Sequence, residues 1–282
     1  MDSGNGSHDG KCVSFKQFFA ELFSKEEILE HALGLIKRAS HCHEIIYQNV
    51  QPPVAAYLLE NLEELTSQKT IRKTFNSVTQ AVRLVAMPTS FHNCIQGWVT
   101  SEVGMWCGRG ILNEDEVGHL EVEAGTTLHF NHPPYAGSSK EPDLSIKYQD
   151  DLLPPIVIET GWSETHAKLL DDMNLLLVGG NGSIRAAVIV DWQVTAAGNV
   201  RGKIELYVLD RAGMPIRRQC EDIFPEPAPQ VAAAQEITFT RRMLFGSNIA
   251  RGRNPRDIYS LRLDVLRNKA RTALRSMNLS PA

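Results

Sequence analysis

The scarcities of this sequence narrow it first. Five cysteines in 282 residues, Cys12, Cys42, Cys94, Cys107 and Cys220, are few, odd in number and irregularly spaced. They exclude a disulfide framework and read as reduced thiols. No apolar run approaches the ~20 residues that a membrane span needs. The opening stretch "MDSGNGSHDGK" lacks the charged-then-apolar pattern of a secretion signal. The expectation is an intracellular protein, cytoplasmic or nuclear, with no membrane contact. Nothing recurs with a period of about 20–50 residues, which excludes solenoids and propellers.

What is present suits an ordinary folded chain. Apolar residues make up 43% and charged residues 22%, enough for one large domain with an extension. The net charge of −4 is unevenly spread. From residue 241 onward, ten Arg and Lys side chains face only Asp257 and Asp264, a balance of +8 that leaves −12 for the rest. Such a region can face a polyanion, DNA or RNA. It can equally be the solvated face of a last helix, or a partner for the acidic body of the same chain.

Residues 1–12 are Gly-, Ser- and Asp-rich and read as disordered. Residues 13–69 read as a helical extension. "FKQFFAELFSKEEILEHALGLIKRAS" carries a capping-box pattern at Ser24 and Glu27, and Pro52 opens a second helix. Alternation around "NSVTQ" suits a hairpin over 70–86, and a helix rich in large residues follows Pro88. Strand patterns then come in series: "HLEVEAGTTLHF", "EPDLSIKY", "PIVIETG", "IRAAVIVDWQV" and "KIELYVLD". One helix interrupts them, with Ser163 as the expected N-cap and Gly179 and Gly180 as its stop. A strand-helix-strand passage of that kind favours a parallel crossover in a mixed sheet. Residues 211–282 read as a C-terminal extension with a basic helix over 255–277.

The chemistry gathers at two carboxylates. Asp143 stands in "KEPDLSI", and Glu159 ends the β-branched run of "PPIVIETGWSE". The connection "QDDLLPP" is short enough for the two strands to be neighbours, so the carboxylates can converge. Two such groups repel unless a cation lies between them, and hard oxygen ligands suit Mg²⁺ or Mn²⁺.

Other signals weigh less. "HCHE", residues 41–44, has no second ligand pair and reads as structural on a helix. "VGGNGS" follows a helix and precedes a strand, the reverse of a phosphate loop. His166 and Asp171 line the site or coat the helix, and Trp162 reads as core packing.

The order of "EPDLSI", "PPIVIETGWSE" and the helix and strand after them resembles the PD-(D/E)XK nuclease superfamily, the restriction-endonuclease-like fold. It looks closest to small bacterial and fungal members, whose preceding helix opens as Met87, Pro88, Thr89 and His92 do here. The resemblance covers roughly residues 70–210 and implies an α/β class with an α-β-β-β-α-β core. It implies Asp143 and Glu159 as catalytic metal carboxylates, the Thr160 carbonyl as a further ligand, Mg²⁺ or Mn²⁺ as cofactor, and hydrolysis of nucleic-acid phosphodiesters. Three departures stand against it. The motif lysine is Gly161, and Lys168 on the next helix is the candidate replacement, although Glu164 and Lys168 also form an ordinary i, i+4 pair. Lys147 is four residues along the strand from Asp143, too far to share its water. Asn93 stands where relatives often carry glutamate, with Glu102 further along. The alternative is a catalytically inactive member acting as a nucleic-acid-binding or protein-interaction module.

Overall fold

The computed structural model describes residues 14–39, 42–65, 71–86, 90–149, 151–162 and 165–282. The expected disorder of 1–12, His41, the motif residues Met87, Pro88 and Thr89, the side chain of His92, and Ser163 and Glu164 lie outside the described residues.

In chain order the elements begin with β1 (Ser14–Phe19), α1 (Lys25–Arg38), β2 (His43–Gln48), α2 (Pro52–Leu65), β3 (Ile71–Asn76), β4 (Ala81–Ala86) and α3 (Ser90–Gly108). Next come α4 (Glu114–Gly118), β5 (Leu120–Glu123), β6 (Leu128–Phe130), β7 (Ser138–Lys140), β8 (Leu144–Tyr148), β9 (Ile156–Trp162), α5 (His166–Gly179) and β10 (Ala186–Val194). The chain ends through β11 (Asn199–Leu209), β12 (Pro215–Phe224), α6 (Pro229–Ala232), β13 (Glu236–Thr240), α7 (Arg241–Phe245), β14 (Ile258–Arg262), α8 (Leu263–Ser276) and β15 (Ser280–Pro281). The class is mixed α/β.

Two sheets carry the molecule. The first runs β1-β2-β4-β3-β7-β6, and the second runs β12-β11-β10-β9-β8-β5 with β15 beside β11. The first buries Ile45, Tyr47, Phe75 and Leu84 against α1 and α2. Ser24 caps α1 as its sequence predicts, its hydroxyl accepting from the Glu27 N–H while the Glu27 side chain accepts from the Ser24 N–H. The other face of that sheet is polar. Thr74 lies opposite both Arg83 and Lys140, so side-chain alternation puts all three on it.

The second sheet is covered on both faces. Ile146, Ile158 and Val190 pack with Trp98 and Trp106 of α3 and Leu266 of α8. Val157, Ala187 and Ile189 pack with Leu169 and Met173 of α5. Burial on both sides explains why β9 is an almost continuous apolar run. The sheet pairs β5 with β8 and β8 with β9 antiparallel, and β9 with β10 parallel across α5.

Several elements differ from the sequence reading. Residues 14–19 form a strand parallel to β2 rather than the start of a helix, and "HCHE" leads into a strand. "HLEVEAGTTLHF" splits at Gly125 (φ +79°), a left-handed position that costs glycine least, and its halves join different sheets. The helix expected over 255–277 begins only at Leu263. Tyr259 and Leu261 are fully buried between less buried neighbours, a period of two, and pair with β13. Among the described residues no helix is long and apolar enough to cross a membrane.

Candidate active site

The chain crosses from the first sheet to the second along Lys140-Glu141-Pro142-Asp143, between the end of β7 and the start of β8. Glu141 pins this crossing. Its backbone N–H donates to the Lys73 carbonyl at 3.0 Å. Its carboxylate accepts from the Lys73 N–H at 3.1 Å and the Thr127 hydroxyl at 2.9 Å, and faces the Lys73 ammonium at 3.2 Å. Lys140 and Asp143 are thereby fixed on either side of one anchored residue.

Asp143 and Glu159 line one small cavity of about 20 Å³, with Arg72, Arg83, Lys140 and Asp172 among its other walls. That is room for about one water-sized group. Asp143 Oδ2 accepts the Thr160 N–H at 2.8 Å, and its Oδ1 lies 3.7 Å from Arg72 Nε. Glu159 Oε2 lies 3.2 Å from Lys140 Nζ, whereas Oε1 is buried without a hydrogen-bond partner among the described residues. Lys140 also reaches Asp172 at 3.0 Å, Arg83 joins Asp172 at 2.7 Å and Glu44 at 2.5 Å, and Lys168 joins Glu44 at 2.8 Å. The carboxylates Glu44, Asp143, Glu159 and Asp172 thus face the cations Arg72, Arg83, Lys140 and Lys168, four against four, at the interface of the two sheets.

This crowding separates the acids electrostatically. Burial pushes the Glu159 carboxyl well above the ordinary range; Lys140 opposes the rise, and Asp143 and Asp172 add to it. Burial would raise Asp172 too, but Lys140 and Arg83 together hold it below its usual value. Burial alone would lower Lys140, and Asp172 and Glu159 more than reverse that, so the ammonium stays charged.

The structure brings Asp143, Glu159 and Thr160 together but not Lys168, whose ammonium is drawn to Glu44. Gly161 leaves no room for a side chain, because a Cβ there would stand 2.8 Å from Leu169 Cδ1. Glu102 is buried elsewhere, against Arg262 at 3.3 Å, and Asn93 is exposed. Trp162 is core. His166 lies between Asp191 at 3.4 Å and Glu205 at 3.3 Å. Sequence reasoning missed Glu44, Arg83, Lys140 and Asp172. The one legible hint was charge at strand positions flanked by buried residues, as in "AVRLVA" and "HEIIY".

Half of the basic C-terminal region's cations are engaged within the molecule. Arg241 pairs with Glu116 and Asp257, Arg253 with Glu116, Arg262 with Glu102, and Arg271 with Glu226. Arg267 donates to the carbonyls of Asp222, Ile223 and Ala232. Arg242, Arg251, Arg256 and Arg275 remain exposed.

The donor set suits a hard divalent cation in kind: two carboxylates line an ion-sized space and, among the described residues, Glu159 Oε1 has no hydrogen-bond partner, although Arg72, Arg83 and Lys140 line the same space. Among the described residues no group of three or more His, Cys, Asp or Glu is arranged around a common point for a metal. The holding set would therefore be Asp143 and Glu159 with the Thr160 carbonyl. Comparison of the chain with protein-family models, with curated proteins and with solved structures gave no match.

Proposed function

We propose that the chain is a Mg²⁺- or Mn²⁺-dependent hydrolase of nucleic-acid phosphodiesters, built on a restriction-endonuclease-like core and working in the cytoplasm or nucleus. One observation carries this reading. Asp143 and Glu159 arrive from adjacent antiparallel strands at one buried cavity, and an ammonium stands 3.2 Å from Glu159. The succession α3, β5, β8, β9, α5, β10 supports the core assignment, with β6 and β7 as an insertion that joins the first sheet.

When bound, the cation would supply Lewis acidity and a water of lowered pKa. The chain's own residues would do the rest. Asp143, fixed by the Thr160 N–H, and Glu159 would hold the cation. Lys140 takes the place left by Gly161: its ammonium beside Glu159 would orient the water and offset charge building on the phosphate. Asp172 keeps Lys140 charged, and Arg83 keeps Asp172 ionised. Lys168 is a positioning residue for Glu44 rather than a participant. Within the C-terminal region, Arg242, Arg251, Arg256 and Arg275 are exposed and available to meet a DNA or RNA backbone.

A second reading has its own observation. The four cations already balance the four carboxylates, as in a retired member of the fold that works by binding nucleic acid or a protein.

Isothermal titration of Mn²⁺ into wild type and into the Asp143→Ala, Glu159→Gln double variant decides between them. Uptake abolished in the double variant, with cleavage lost in Lys140→Met but kept in Lys168→Ala, supports the hydrolase. No uptake at millimolar Mn²⁺, together with salt-sensitive nucleic-acid binding and no cleavage, supports the binding module.

A further inference from the structure

A second cavity, of about 520 Å³, opens on the same face of the second sheet as Glu159, beyond the N-terminal end of α5. Its size is that of a small-ligand pocket. Asp191, which pairs across strands with Gly161, sits one strand over and two residues on from Glu159. The same row continues through Lys203, and Gln193 faces Arg201 in the next.

The polarity of this cavity is graded. Asp191 and Glu205 are buried at its floor, at 7% and 2% exposure, while Arg201, Lys203 and Arg217 are exposed at its rim with one carboxylate, Asp222, across from Lys203. Glu205 is fully engaged by Arg217 at 2.6 Å, Tyr207 at 3.0 Å and His166. Asp191 is engaged on one side only. Its Oδ2 accepts from the Gln193 amide at 2.9 Å and lies near His166, while Oδ1 is buried with no hydrogen-bond partner among the described residues. A carboxylate oxygen left in this state is costly unless a ligand donates to it.

We infer that this cavity is a nucleotide subsite: Arg201 and Lys203 receive a phosphate at the rim, and Asp191 Oδ1 accepts an N–H from the base. The ligand must bring an anionic end and, remote from it, a neutral N–H donor, and a nucleoside monophosphate unit brings both. That this nucleotide neighbours the bond cleaved at Asp143 and Glu159 rests on the proposed function; the binding itself does not.

The experiment titrates the full chain in EDTA with GMP, AMP and ribose 5-phosphate, following heat. GMP and AMP are expected to bind at submillimolar concentration, with ribose 5-phosphate at least tenfold weaker because it lacks the base donor. Arg201→Ala with Lys203→Ala, both on the surface, should weaken all three at least tenfold. Asp191→Asn should close the gap between nucleotide and ribose 5-phosphate while the melting transition shows it folded. Equal binding of all three ligands to wild type, no binding at millimolar nucleotide, or indifference to the rim variants overturns the subsite. EDTA keeps the two readings apart. A protein that takes up Mn²⁺ and cleaves but ignores nucleotides retains the hydrolase and loses this pocket. One that binds nucleotides without metal uptake does the reverse.

Discussion

Two regions of this molecule bury charge, and they do it differently. Beside the β13–β14 hairpin and α8, Arg241 and Arg267 are essentially inaccessible, and all three nitrogens of each guanidinium donate. Arg241 reaches Glu116, Asp257 and the Ile111 carbonyl, and Arg267 reaches three carbonyls and the Gln235 side chain. Where the two sheets meet, charges of both signs are also buried, yet among the described residues Glu159 Oε1 and Arg72 Nε lack hydrogen-bond partners. Buried polar atoms are rarely left so in folded proteins. Tyr259 Oη beside Arg241 is also unpartnered among the described residues, so the contrast lies in the charged groups alone: the guanidiniums of one region are saturated, and a carboxylate oxygen and a guanidinium nitrogen of the other are not. It also shows that part of the basic C-terminal region, conspicuous in the sequence, is internal scaffolding built on Arg241 and Arg267.

The largest expected effect tests the scaffolding half of that comparison. Arg241→Met leaves Glu116 buried with Arg253, at 3.4 Å, as its remaining cation among the described residues and the Asn113 N–H, at 3.0 Å, as its backbone donor, and removes the donor to Asp257. Breaking a buried pair from one side costs about 3–5 kcal/mol. The urea midpoint should fall accordingly, while Mn²⁺ uptake per folded molecule stays unchanged. A loss below about 1 kcal/mol, within the range of surface pairs, would mean that Arg253 substitutes and that this region is no more committed than the other.

A smaller effect is expected at Gly161. Alanine there must push Leu169 aside in a core that packs α5 onto β9, and overpacking of this kind costs about 1–3 kcal/mol. Leu169→Val in the same chain should recover part of the loss. If Gly161→Ala is neutral, the space over the strand end is not what excludes the motif lysine, and a lysine there becomes worth testing.

Legibility followed sequence distance. Asp143 and Glu159 could be paired from the sequence because they lie on consecutive antiparallel strands with a short connection. A one-residue slip would have turned both run and carboxylate to the other face. The strand-helix-strand crossover was legible for the same reason. Lys140 stands three residues before Asp143, yet its role could not be read, because the partner that fixes its ammonium, Asp172, comes from α5. Glu44 and Arg83 belong to the first sheet, which is assembled from strands whose pairing no local pattern announces. β1 shows the limit most plainly. "SFKQFF" is short and apolar-rich, so a helical and a strand period fit it equally, and only the parallel partner β2 decides. The Tyr259 segment failed in the same way, its alternation being absorbed into the periodicity of the helix that follows.

The smallest effect has the opposite sign and tests the site half of the comparison. Glu159 holds its proton to higher pH in the folded protein than in the unfolded chain, where it titrates near 4.5. Between these two values the folded state binds more protons, so stability falls as pH rises from about 4.5 toward the folded value. At neutral pH the residue is therefore a burden in the metal-free protein. Glu159→Gln removes the titration and keeps an acceptor for the Lys140 ammonium. It should raise the urea-derived stability at pH 7.5 by about 0.5–2 kcal/mol, the size of gain commonly found when a functional residue is replaced. At pH 4, where the wild-type carboxyl is protonated in both states, the gain should vanish. A variant less stable than wild type at pH 7.5 would show that Lys140 stabilises the ionised carboxylate outright. The cluster between the sheets would then be scaffolding of the same kind as Arg241 and Arg267, and the case for a metal at Glu159 would lose its physical motive.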